Sequence, residues 1–265
     1  MTVTEDPAAA GRALFEAGAA VAGSMSRNAA VLVYPDPAGR AAVRLEDRLA
    51  RCLRTAADEA AEVAVPRERA RAGAVLAFAV EHRVAVARSG RPVRADGFFA
   101  PRTGGRSAAD TVTEAVVAAA RGSHDERRIR HLGYLLAEVA SSPDLDAALV
   151  DRALTLAAGL TWRQLVLLAG VGRRDRSPLP MTPLAEDPRG WAAWGAREDL
   201  ADLQRAGLLD PPPALPRPGG AALPRLRPAD LRLTRRGVLV HRLLALGFVR
   251  DDDVAAALAE LVPPA

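Results

Sequence analysis

Between residues 198 and 246 the chain runs EDLADLQRAGLLD, then a segment of Pro, Gly and Arg, then LRLTRRGVLVHRLLAL. Leucines three and four apart mark a helix that ends in AGLL. A polar, hairpin-like excursion follows, and the alternating L-x-L-T reads as a short strand leading into another helix. This order of parts, helix, excursion, strand, helix, restricts the last third of the chain to few topologies.

Upstream, the pattern is helical and alanine-rich. Asp6-Pro7 has the form of an N-cap with Pro at the first helical position, which predicts a helix over 7 to 24. Val31 to Tyr34 is a β-prone run before a Pro-Asp-Pro-Ala-Gly turn. From 41 to 63, Leu45, Leu49, Cys52, Leu53, Ala56, Ala60 and Val63 form a stripe along one helix face, and a second helix opening at Pro66 runs to about 88. The two are expected to pack as an antiparallel pair. Residues 89 to 110 read as a surface loop or as a connector pinned by Phe98 and Phe99. Thr111-x-x-Glu114 and Ser123-x-x-Glu126 have capping-box form and predict helices over 111 to 121 and 124 to 141, and Ser142-Pro143 opens another to about 158.

The sharpest local signal is LTWRQL at 160 to 165. Thr161 and Gln164 make a capping box while Leu160 and Leu165 occupy the positions of a hydrophobic staple, so a helix start at 161 is specified three ways. That helix is expected to end near Gly170, and a proline-rich loop leads to the next, over 190 to 206. Trp191 and Trp194 lie three apart on one face of it and are expected to fill the core.

The order LTWRQLVLL, a helix ending AGLL, a polar excursion, LRLTRRG and a final helix resembles the bacterial winged-helix regulators of the MarR and PadR kind over about 161 to 247. The prolines between the first two landmarks depart from that pattern. The helical patterns upstream make 1 to 159 a multi-helix N-terminal region, and the resemblance implies a winged-helix-like domain with a small β-hairpin over 160 to 265, mainly α overall. It also implies a helix before the wing that would enter a DNA groove. With Leu200, Leu203 and Gly207 turned inward, however, Glu198, Ala201, Asp202 and Arg205 face outward, and that face is mainly acidic.

The arginines of the wing region are the candidate partner or nucleic-acid contacts: Arg217, Arg225, Arg227, Arg232, Arg235 and Arg236. Residues 205 to 250 carry nine Arg against only Asp210 and Asp230, whereas arginines and acids nearly balance before them. All 36 basic residues of the chain are Arg. The absence of Lys removes a Walker-type phosphate loop, a Schiff-base enzyme and a Ser-Lys hydrolase.

Catalytic and metal readings fail on spacing. Ser123, His124 and Asp125 are adjacent, so they cannot converge as a triad, and helix capping accounts for them. His124 and His131 are seven apart, too far along a helix to share one metal. Gly170-Val171-Gly172 follows a helix where a dinucleotide fingerprint needs a strand. His82 and His241 read as surface or helix-end residues, and Cys52, the only cysteine, as a buried thiol. Glu5 and Asp6 stand where a secretory leader is basic, and no run reaches the length of a membrane span.

The sequence therefore leads to a cytoplasmic bacterial regulatory or adaptor protein without catalysis, cofactor or metal. A protein partner is expected at its C-terminal module, DNA binding through the Arg-rich wing being the alternative, and the N-terminal helices offer a route to a homo-oligomer.

Overall fold

The computed structural model describes residues 40–101, 105–184, 190–211 and 226–261. The helix expected over 7 to 24 and the strand at Val31 to Tyr34 lie outside them. The fold is mainly helical, with one two-stranded sheet among the described residues. Contacts divide the chain into two compact units between Leu154 and Thr155.

The first unit holds α1 (Arg40–Ala61), α2 (Pro66–Arg88), a 3-10 turn at Gly97–Phe99, α3 (Ala108–Arg121), α4 (Glu126–Ala140) and the first two thirds of α5 (Ala147–Ala158). Pro66 sits in the first turn of α2, where its missing N–H costs nothing. The apolar stripe of α1 is buried from Leu49 to Ala60. The main partner of α2 is α4 rather than α1. The reason is Gly133: a Cβ there would stand 2.5 Å from the Val75 carbonyl oxygen and 2.7 Å from the Phe78 Cβ, so only glycine admits so close a crossing. Val75, Leu76, Ile129 and Leu135 fill the seam, fully buried.

Capping sets the helix starts, not always where the sequence patterns fall. In α3 the box is Ser107 with Asp110, four residues ahead of the Thr111 pattern, whose hydroxyl donates instead to the Ser107 carbonyl. At α4 the cap is Asp125, accepting from the Arg127 amide at 2.9 Å, while Ser123 donates its hydroxyl to the Asp125 carbonyl. In α5 the Asp146 carboxylate accepts from the Leu149 amide at 2.7 Å, so the helix begins there and not at Pro143. Phe98 and Phe99 are buried edge to face and pin the connector between α2 and α3.

The second unit is arranged on α6 (Trp162–Gly172), which is buried from Gln164 to Val171. Thr161 and Gln164 form the expected capping box, and Leu160 and Leu165 are both buried. Around α6 pack α7 (Trp191–Arg205), α8 (Arg235–Leu243) and α9 (Asp251–Leu261). Strands β1 (Leu209–Asp210) and β2 (Arg232–Leu233) pair antiparallel with Leu209 opposite Leu233. The AGLL ending of α7 is a Schellman turn. Gly207, at φ +66°, donates to the Gln204 carbonyl and Leu208 donates to that of Leu203, both at 2.9 Å, with the Leu203 and Leu208 side chains buried together. Gly237 then lets α8 lie directly on the Leu208 carbonyl, with no room for a Cβ.

Candidate functional site

The segment after β1 is where the sequence places its contact arginines. Arg217 and Arg225 lie outside the described residues; the other four are built into the unit to different degrees. Arg227 grips Asp230 with Nε at 2.9 Å and Nη2 at 2.8 Å, closing the turn Pro228–Asp230. The Asp230 carboxylate raises the guanidinium further, and the guanidinium in turn holds the carboxyl below its usual range. Arg232 donates to the Ala229 and Leu231 carbonyls, each at 2.8 Å. Arg236 donates to the Ala206 carbonyl at 2.8 Å, tying α8 to the end of α7. Arg235 is exposed, with no partner among the described residues.

Two arginines that the sequence pattern did not single out hold this region together. Arg174 donates to the Leu231 carbonyl at 2.6 Å and to that of Ala229 at 3.3 Å, fixing the approach to β2. Arg173 binds Asp251 at 2.7 Å and caps the carbonyls of Leu246, Gly247 and Val249. Both follow α6 directly in the chain. Their roles depend on carbonyls more than fifty residues away, which no local pattern reveals.

The outer face of α7 corrects one expectation. Trp191 is 87% exposed and Trp194 49%, their rings edge to face at 6.0 Å. Neither fills the core. At 100° per residue, Trp191, Trp194, Glu198, Asp202 and Arg205 fall within an arc of about 80°. They therefore share the outward stripe, while Ala196, Asp199, Leu200 and Leu203 face inward. Hydrophobicity argued for burial, and helical phase overruled it. On that stripe one guanidinium serves two carboxylates: Arg205 Nη2 stands 2.5 Å from Asp202 and 3.7 Å from Glu198.

The inward side carries a charge that sequence reasoning missed. Asp199 is buried and accepts from Arg163 Nε at 2.5 Å, and Arg163 reaches Glu260 of α9 at 3.1 Å. The two carboxylates outweigh the cost of burial and raise the Arg163 guanidinium still further. This network joins α6, α7 and α9, and it lets α7 bury an acidic residue.

In the first unit the histidines are also placed differently from expectation. His82 is 4% exposed, not at the surface: its Nε2 lies 2.9 Å from Glu138, and its ring stacks on Tyr134 at 4.3 Å. Arg91 donates to the other oxygen of Glu138 at 2.8 Å. Burial alone would raise that carboxyl, but the bonds from His82 and Arg91 outweigh it and hold the group below its usual value. His131 is buried edge-on to the same tyrosine. His241, in the last turn of α8, is half-buried against Gly172, and burial lowers its basicity. Burial pushes the Cys52 thiol up to about 12, which fits the structural role expected of it, beside Thr113 at 3.3 Å.

Among the described residues no His, Cys, Asp and Glu side chains gather in the manner of a metal site. No single described helix is long and apolar enough to cross a membrane. No protein-family model, curated protein or solved structure matches the chain.

Proposed function

We propose that this is a non-catalytic regulatory or adaptor protein of the bacterial cytoplasm, and that its second unit is a winged-helix-like module that docks onto protein. The observation that carries this reading is the outward stripe of α7. A helix that reads a DNA groove presents Arg, Lys, Asn or Gln to base edges and phosphates. Here the same position in the order of elements presents two tryptophans and two carboxylates. Exposed Trp is characteristic of protein interfaces, where its area is large and few rotamers are lost on binding.

The arginines support the same choice. Arg227, Arg232 and Arg236 each spend donors on Asp230 or on backbone carbonyls of their own unit. A phosphate would have to compete with those bonds. The alternative, a transcriptional regulator whose wing neutralises phosphates, draws on the excess of Arg over 205 to 250 and on exposed Arg235.

Fluorescence anisotropy with a labelled mixed-sequence DNA duplex separates the two. The protein reading expects no binding at low salt. Binding that weakens steeply with salt, with a slope that Arg225→Ala and Arg227→Ala together reduce by about two, would establish the DNA reading instead.

A further inference from the structure

We infer that the partner of the α7 stripe is a second copy of this chain, docking reciprocally through the outer face of α8. This rests on the protein-docking reading above and gives it an occupant. The observations all belong to the second unit. The α7 stripe is apolar at its start, with Trp191 and Trp194, and carries Glu198 and Asp202 further along, with 46% and 51% of their side chains exposed. Because Arg205 is shared between those two carboxylates, the stripe keeps one net negative charge. The outward face of α8 is its complement: Arg235, Val238 and Arg242 are exposed at i, i+3 and i+7, two cations about an apolar side chain.

Area decides between one-way and reciprocal contact. At their exposures the two tryptophans offer about 340 Å² per copy, taking about 250 Å² for a whole side chain. Covering them from one side would bury about 680 Å² counting both surfaces, which is short of the roughly 1,000 Å² a specific interface needs. A twofold arrangement makes the contact twice and buries about 1,360 Å², in the lower part of the range for stable complexes. Twofold symmetry also closes the assembly, where a one-way pairing of α7 with α8 would propagate into a chain of molecules. Each copy then supplies both the aromatic, acidic stripe and the basic one, so a tryptophan of one copy meets Val238 and the arginines of the other, in reach of cation–π contact.

The test is sedimentation equilibrium of the full chain over a range of concentrations at low and moderate salt. A dimer is expected, with Trp191→Ala/Trp194→Ala weakening it on the order of a hundredfold. Glu198→Arg and Arg235→Glu should each weaken it about tenfold, and the double variant Glu198→Arg/Arg235→Glu should recover most of the loss, because both contacts are then charge-swapped together. The substituted side chains are exposed, and circular dichroism verifies that each variant is folded. A monomer at every concentration overturns the inference, as does a dimer that the tryptophan variant leaves unchanged or a double variant no better than the singles. None of those outcomes touches the protein-docking reading, which the DNA anisotropy measurement tests separately.

Discussion

Gly133 shows how much one missing atom decides. With the Val75 carbonyl oxygen 2.5 Å from where a Cβ would be, and rigid backbone on the other side, there is no flexible side chain to give way. Gly133→Ala should therefore destabilise the first unit by about 2 to 3 kcal/mol, the upper range for overpacking, read as a lowered midpoint in urea denaturation. Glu138 is the second residue of consequence. Its folded-state carboxyl is held below the ordinary value, so the unfolded chain binds its proton first as pH falls. The stability it supplies is complete above the ordinary carboxylate range and drains away as pH drops through the lower folded value. Thermal unfolding followed from pH 7 downward should show that loss. Glu138→Gln should lower the melting temperature at pH 7 and make the acid side shallower, since a buried His82 and a partly buried Arg91 lose their anion. An unchanged acid slope in that variant would show that Glu138 is not the group responsible.

At the scale of elements, the ends of the helices were more legible than their faces. Thr161 and Gln164 gave the start of α6 because every atom of a capping box lies within four residues, and the Pro66 start of α2 was readable for the same reason. Ser107 was missed because Thr111 and Glu114 repeat the same pattern one turn later. Which of two successive boxes forms depends on where the preceding connector, pinned by Phe98 and Phe99, delivers the chain. The two termini flanking this logic give a paired prediction. Thr161→Ala should cost about 1 kcal/mol through the lost cap. Gly207→Ala should cost about 1 kcal/mol because φ +66° is unfavourable for any residue with a Cβ, and Gly207→Asn should cost less. Equal losses for Ala and Asn at 207 in chemical denaturation would show that the left-handed conformation is not what limits the site.

Across the whole molecule, the division between Leu154 and Thr155 gives each half its own core, and the single thiol lies in only one of them. Cys52 is buried and its pKa is pushed up to about 12, so a thiol reagent meets it as a reactive group only when the first unit opens. Labelling by such a reagent should be slow in the native protein and faster in Gly133→Ala. It should change less in Gly237→Ala, whose strain falls at the Leu208 carbonyl of the second unit. Equal acceleration by both variants would mean that the units open together. The arginines of residues 205 to 250 also take their meaning only at this scale: as sequence they are a basic region, whereas Arg227, Arg232 and Arg236 in the fold are braces for turns and helix ends.

The chain by itself determined the starts of α2 and α6, the AGLL ending of α7 and the short strand before α8. Those features are fixed by interactions between residues a few positions apart, and any compact fold must respect them. Tertiary structure alone decided that Trp191 and Trp194 face outward, that Asp199 and His82 are buried, and which carbonyls the arginines of the second unit hold. Each of these is a choice of partner across the chain, made by which surfaces meet α6 or α2. A tryptophan is apolar wherever it stands, and only the packing of its neighbours settles whether it faces the core or the solvent.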